Sequence, residues 1–127
     1  LVGIGDYKAA VNTIRLAWAL DPYISPVFAG SLLSQSHFAL GEFEASKTAA
    51  QYCLERTPRD VRCHENFVRA LAELGPKEET RKALAKMLSA GPDYIVTEYL
   101  RKANRNRRDK AAIKRWADGL RKAGVPE

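Results

Sequence analysis

The chain has few of the residues from which cross-links and reactive centres are made: two cysteines, two histidines and one methionine among 127 residues. Two cysteines are too few for a disulfide framework, so we expect Cys53 and Cys63 to be packed thiols in a cytoplasmic protein. No apolar run approaches the roughly 20 residues that a membrane span requires. Because position 1 is not methionine, we also expect the chain to be part of a longer protein.

Motifs for cofactors, metals and catalysis are equally scarce. The Gly-Ile-Gly at positions 3–5 lacks the third glycine and the strand of a dinucleotide fingerprint, and a turn is the better interpretation. Cys53 and Cys63 are too far apart in sequence for a usual zinc pair, even with His64 and His37 added. With no glycine-rich anion loop, nothing indicates a nucleophile paired with a base. We therefore expect no enzymatic activity, no metal and no cofactor.

Positive charge is concentrated at one end of the chain. Residues 1–100 carry a net charge of −1, whereas residues 101–127 carry +7. A solvated face or docking within a longer chain, an acidic partner protein, and a nucleic acid or membrane surface all remain open, although sparse aromatic residues disfavour nucleic acid. The basic residues of the segment 101–115 are Arg101, Lys102, Arg105, Arg107, Arg108, Lys110, Lys114 and Arg115.

A repeat with a constant internal spacing runs through the first two thirds of the chain. Three glycines are each followed by a proline 17 residues later: Gly5 by Pro22, Gly41 by Pro58 and Gly75 by Pro92. Glycine supplies a left-handed residue at a helix end, and proline prevents a helix from continuing. Each glycine-to-proline stretch is thus predicted to be one helix, and each proline-to-glycine stretch its antiparallel partner.

Apolar residues at spacings of three and four support this interpretation. The predicted helices cover 6–20, 26–40, 42–56, 60–74, 77–90 and 93–104, followed by a basic loop at 104–108. No segment alternates with the period of two that a strand requires. The sequence therefore predicts an all-α fold of about seven helices, built as an α-solenoid of stacked antiparallel pairs.

A seventh helix is predicted after Asp109, a suitable N-cap. Ile113, Trp116, Leu120 and Ala123 form its apolar stripe. We expect this helix to lie over the end of the stack and close its core, as terminal units of solenoids do. The repeats would then span 1–92, and the basic loop with the capping helix would span 93–127 of the same domain.

Three segments carry a family resemblance. The residues concerned are Gly5-Asp6-Tyr7 with Leu20-Asp21-Pro22, Leu40-Gly41-Glu42-Phe43 with Ala50, Cys53 and Thr57-Pro58, and Leu74-Gly75 with Leu84, Met87 and Pro92. They resemble the second half of a tetratricopeptide repeat, the third copy being the most degenerate. Ser46 and Thr80 replace the usual alanine, and Met87 replaces another small residue. The resemblance covers about residues 3–92 and implies a right-handed superhelix that binds proteins.

The ending of the chain carries a second, narrower resemblance. Residues 118–127, following Trp116, resemble the C-terminus of bacterial class III adenylate/guanylate cyclases of the rhizobial type, in which a catalytic domain precedes a tetratricopeptide region. The resemblance implies a non-catalytic regulatory part of such a cyclase, in cAMP signalling. Bacterial transcriptional regulators with similar repeats are the alternative parent.

A binding surface follows from the geometry of stacked pairs, because the first helix of each pair lines the concave side. Arg62 and Arg69 are suited to hold a carboxylate or acidic peptide bidentately; an ordinary hydrated face is the alternative. The partner would be a protein, a peptide or the catalytic domain of the same chain, and the sequence gives no oligomeric state. The predicted groove residues are Ser31, Gln35, Phe38, Arg62, Glu65, Asn66, Arg69 and Glu73.

Overall fold

The computed structural model describes residues 4–106 and 109–127. Within these residues the chain forms seven α-helices and no strand, which confirms the all-α prediction. The helices are α1 (Ile4–Leu20), α2 (Pro26–Ala39), α3 (Phe43–Arg56), α4 (Val61–Leu74), α5 (Lys77–Ala90), α6 (Val96–Asn106) and α7 (Lys110–Ala123). No helix of the described ranges has both the length and the apolar character needed to cross a bilayer.

The residues that begin and end the helices are largely those predicted. Asp109 accepts a hydrogen bond from the Ala112 amide at 2.9 Å and caps α7. Gly41 and Gly75 adopt positive φ angles of 77° and 103° in the turns that follow α2 and α4. Gly5 differs, because it lies inside α1. The prediction of a turn there is wrong, since the helix already begins at Ile4.

From α1 to α5, each helix packs against the next one along the chain, and α2 also packs against α4. Gly30 of α2 allows close approach to α3, because a Cβ atom there would lie 3.0 Å from the Cβ of Cys53. Ser46, one departure from the repeat pattern, is fully buried and satisfied by hydrogen bonds that it exchanges with Ser34 at 2.8 Å. A polar residue is therefore tolerated in this interface because its partner faces it.

The last two helices form a hairpin that differs from the predicted arrangement. The helix α6 begins at Val96, three residues later than expected, where the Val96 amide donates to the Pro126 carbonyl at 2.8 Å. In the described part of the chain, α6 packs on α7 rather than on the preceding α5. The helix α7 in turn packs on α4, α2 and α5. It therefore covers the core of the last pair, α4 and α5, as expected of a capping helix, and it also reaches back over α2.

Cys53 and Cys63 form a disulfide bond, with Cα atoms 5.5 Å apart. The prediction of packed thiols is therefore wrong, although both residues are fully buried as expected. The short loop between α3 and α4 brings the end of one helix beside the start of the next, at a Cα separation that a disulfide can span. The cysteine count no longer argues for a reducing compartment, and a cytoplasmic location stays a prediction.

Candidate binding cleft between α4 and α6

The surface that α2 and α4 share is largely covered by α7. Trp116 is 3% exposed, and its indole N–H donates to the backbone carbonyl of Gln35 at 3.2 Å. Phe38 packs with Ile113 and Trp116 in one buried cluster. Gly119 makes this approach possible, because a Cβ atom there would lie 3.0 Å from Cζ of Phe38. The chain thus fills part of its own predicted groove.

Polar contacts hold both ends of α7 in this position. At its start, the Tyr7 hydroxyl of α1 donates to Asp109 at 2.7 Å. The Ala112 amide and this hydroxyl stabilise the carboxylate and lower the pKa of Asp109. At its end, Lys122 forms an ion pair with Glu73 of α4 at 3.3 Å. The helix is therefore fixed along its whole length and not only by its apolar stripe.

Beside α7 an open cleft remains between α4, α6 and the turn that joins α5 to α6. Its volume is about 950 Å³. Its wall is largely formed by aliphatic and aromatic side chains, with charged residues among them. The lining residues are Gln35 of α2, Val61, Arg62 and Glu65 of α4, Gly91, Pro92, Asp93, Tyr94 and Ile95 of the turn, and Glu98, Tyr99, Lys102 and Ala103 of α6.

The floor of the cleft is a buried charged cluster. Arg69 has no exposed surface, and its Nη2 lies 3.1 Å from Oε1 of Glu65. The Tyr94 hydroxyl donates to the other oxygen of Glu65 at 2.5 Å. Burial, followed by the negative charge of Glu65, raises the pKa of Tyr94. The Tyr99 ring covers the guanidinium of Arg69 at 5.3 Å from its centroid.

This ion pair is less than fully satisfied. The contact between Arg69 and Glu65 has the distance of an ion pair but not the geometry of a hydrogen bond, and no described residue accepts from Nε or Nη1 of Arg69. Burying polar groups without partners costs free energy. The cluster therefore depends on the charge balance between the two residues, which makes each of them sensitive to loss of the other.

The two arginines at the rim are paired as well. Arg62 holds the carboxylate of Asp60 through Nε at 3.2 Å and Nη2 at 3.0 Å. This contact lowers the pKa of Asp60. Arg101 holds Glu98 in a similar way, at 2.7 Å and 3.0 Å. The guanidinium of Arg62 is thus engaged by a neighbour within the chain, whereas the prediction reserved it for a ligand.

The eight residues predicted to form one groove are separated in the structure. Gln35, Arg62 and Glu65 line the cleft, as the prediction required. Ser31 instead faces α3, with its hydroxyl 3.8 Å from the sulfur of Cys53. The helix α2 packs against both α3 and α4, and the sequence pattern assigned Ser31 to the wrong one of these faces.

The remaining predicted groove residues are buried or lie at the far end of α4. Phe38 lies beneath α7, and Arg69 lies between α7 and the Tyr99 ring. Asn66 is fully buried and donates to the Arg62 carbonyl at 2.9 Å. Glu73 is engaged by Lys122 of α7. The prediction of a continuous groove is therefore wrong. The structure has a shorter cleft, because α7 covers the other part of that surface.

The basic segment lies on the exposed surfaces of α6 and α7. Its described members Arg101, Lys102, Arg105, Lys110, Lys114 and Arg115 are all exposed, while Arg107 and Arg108 lie outside the described residues. Lys114 pairs with Asp118 at 2.7 Å. Lys102 also lines the cleft, so the two predicted sites meet at this residue.

Sequence reasoning did not identify the aromatic side of the cleft. Tyr94, Ile95 and Tyr99 fall within the helix predicted for 93–104, to which no binding role was assigned. The spacing of Ile95, Tyr99 and Lys102, at four and then three residues, places the three side chains on one face of a helix. Two apolar residues followed on the same face by a lysine are the sequence signal that could have indicated the cleft.

Both histidines make hydrogen bonds within the chain. His37 is 2.8 Å from Glu42, and His64 is 2.7 Å from the Pro58 carbonyl. Within residues 4–106 and 109–127, no group of three or more potential metal ligands comes together. The cleft itself presents tyrosine rings, aliphatic side chains and charged groups, a surface suited to binding. No protein-family model matches this chain, and a search of curated proteins finds no relative, so its function is argued from this geometry.

Proposed function

We propose that the chain is a protein-binding module that takes a segment of its partner into the cleft between α4 and α6. The observation that carries this proposal is an open cleft of about 950 Å³ lined by Tyr94, Ile95 and Tyr99. Aromatic side chains are enriched at protein interfaces because they offer large contact areas at low entropic cost. The proposal assigns no catalytic step to these residues.

We further propose that α1 to α5 are repeats of the tetratricopeptide type. The turns at Gly41 and Gly75, and the packing of α2 on both α3 and α4, support this assignment. The handedness of the stack stays a prediction. In this proposal the chain is the regulatory C-terminal part of a class III cyclase, which rests on the resemblance of residues 118–127. A transcriptional regulator remains the alternative parent, and the sequence preceding Leu1 distinguishes the two.

A selection from a random peptide library tests the binding proposal. The chain is immobilised, and peptides that also bind the Ile95→Glu variant are removed. We expect the remaining peptides to shift the NMR signals of Ile95, Tyr99 and Lys102 when they are added to the isotope-labelled chain. Peptides that shift only residues on other surfaces, or a selection that yields no binder, would contradict the proposal. Ala85→Glu, at an exposed position of α5, is the matched control and should retain binding.

A further inference from the structure

The charges around the cleft are distributed unevenly along α6. Near the start of the helix, two acidic groups of the cleft have a cationic partner, Glu65 with Arg69 and Glu98 with Arg101, whereas the exposed Asp93 has no ion pair with a described residue. Toward the end of the helix, Lys102 and Arg105 are exposed, and α7 also carries the exposed Lys110 and Arg115. A ligand that follows α6 therefore passes from an apolar region whose arginines are paired to a region of exposed cations.

Contacts within the chain place the apolar residues and the cations in sequence along the cleft. Ile95, Tyr99 and Lys102 all line the cleft; Ile95 immediately precedes α6, and Tyr99 and Lys102 follow on one face of that helix. The Glu98 carboxylate is close enough to Arg101, and then to Lys102 and Arg105, for these cations to lower its pKa. The three cations are thus neighbours of the cleft and not a separate patch.

We infer that the partner segment is an acidic peptide with an apolar anchor, the anchor lying among Tyr94, Ile95 and Tyr99 and the carboxylates lying over Lys102 and Arg105. This inference rests on the proposed function and adds the chemistry of its ligand. An apolar anchor suits the cleft near the start of α6, because Tyr94, Ile95 and Tyr99 offer apolar surface there. The carboxylate of Asp93, which has no ion pair with a described residue, would repel an acidic group at this end. Acidic groups suit the other end because they complement its exposed cations.

A protein segment fits these surfaces better than a nucleic acid does. One face of the Tyr99 ring already covers Arg69, so this ring offers at most one face to a base. Acidic residues also alternate with the cations, as Glu98 does before Arg101 and Asp118 does after Lys114. A phosphate backbone would meet these carboxylates at close range, whereas a peptide can place its apolar part there.

Three synthetic peptides test the inference on the full chain. One has a leucine pair followed by a run of glutamates, the second replaces the glutamates by lysines, and the third replaces the leucines by serines. Each is titrated into the isotope-labelled chain and followed by NMR. We expect the glutamate peptide to shift Ile95, Tyr99 and Lys102, and to bind about tenfold more tightly than the lysine peptide at low salt. This difference should shrink as salt is added, and the serine peptide should bind more weakly.

Charge-reversal variants separate a specific surface from general attraction to a basic chain. The double variant Lys102→Glu/Arg105→Glu should lose about tenfold in affinity for the glutamate peptide. The matched double variant Lys82→Glu/Lys86→Glu, on the exposed face of α5, makes the same change in net charge and should bind almost normally. Equal losses in both variants would overturn the inference, because they would show attraction to net charge alone.

The outcomes also separate this inference from the proposed function. Equal binding of the glutamate and lysine peptides in the cleft would overturn the inference and leave the binding proposal standing. Tighter binding of a single-stranded oligothymidine to the same residues would overturn it in favour of a nucleic-acid surface. If none of the peptides shifts the cleft residues, the inference fails, and the library selection then decides independently whether the cleft binds any peptide.

Discussion

The two helices of the C-terminal hairpin lie against the same stack, but only one of them closes against it. The inward residues of α7 are all buried, and three of them are alanine or glycine: Ala112, Ile113, Trp116, Ala117, Gly119 and Leu120. In residues 96–105 of α6, only Val96 is fully buried, while Tyr99, Leu100 and Ala103 are half-buried. Small residues beside large ones allow close approach, whereas the Tyr99 ring rests on a buried charge. The small residues of α7 therefore allow a closed interface, whereas the Tyr99 ring over the charge of Arg69 leaves an open cleft.

The largest expected effect comes from breaking the closed side. Trp116→Ala removes a side chain that fills the space between α1, α2 and α7, and it should lower the free energy of unfolding by about 3–5 kcal/mol. Urea denaturation measures this change. Arg115→Ala, at the neighbouring exposed position, should change it by no more than about 0.5 kcal/mol. A loss below about 1 kcal/mol for Trp116→Ala would mean that α7 is not packed as described.

The buried charge between the two sides gives the second prediction. Arg69→Met leaves Glu65 buried without its cation and should cost about 3–5 kcal/mol of stability. The double variant Arg69→Met/Glu65→Gln removes both charges and should recover most of this loss. A thermodynamic cycle of the two single variants and the double variant measures the coupling. Additive losses would show that the two residues do not form a dependent pair.

A substitution at Gly119 tests how closely α7 approaches α2 and α4, because the structure and helix propensity predict opposite signs for the change in stability. Helix propensity alone predicts that Gly119→Ala stabilises α7 by about 1 kcal/mol. In the structure, however, a Cβ atom would lie 3.0 Å from Phe38 and 3.1 Å from the Cβ of Arg69. We expect overpacking to prevail, with a net loss of about 1–2 kcal/mol in thermal or urea unfolding. A gain in stability would contradict the tight contact of α7 with α2 and α4.

The smallest expected effect concerns the cap of α7. Asp109→Ala should cost about 1 kcal/mol, whereas Asp109→Asn, which can still cap, should cost less. The pKa of Asp109 is lowered by folding, so its stabilisation is present above the ordinary aspartate pKa and is lost as the pH falls through the lowered value. Unfolding curves of the natural chain and of Asp109→Asn should therefore converge as the pH falls below about 4. A constant difference between the two would exclude this role of the carboxylate.

Features set by neighbouring residues could be predicted from the sequence. The cap at Asp109 and the turns at Gly41 and Gly75 follow from local conformational preferences, and the structure confirms them. The failure at Gly5 is also local, because glycine permits a turn but does not impose one. Periodicity thus identified the helices and approximated their ends, with the largest error at the start of α6.

Features that depend on residues far apart in sequence could not be predicted in this way. Periodicity shows that α7 has an apolar stripe, but not which surface receives it, and this depends on the fit of Gly119 against Phe38. The same limit applies to Ser31, since α2 has neighbours on more than one side. The bond between Cys53 and Cys63 likewise depends on how the loop between α3 and α4 brings two helices together.

The difference between the closed and the open side can be measured on two residues of the same type. Ile113 lies on the closed side and is 1% exposed, whereas Ile95 lines the cleft. A soluble paramagnetic gadolinium chelate broadens the methyl signals of side chains that solvent reaches. We expect strong broadening of the Ile95 methyl signals and almost none for Ile113. Equal broadening of the two, or stronger broadening of Ile113, would contradict the arrangement of α6 and α7 on which the proposed binding cleft depends.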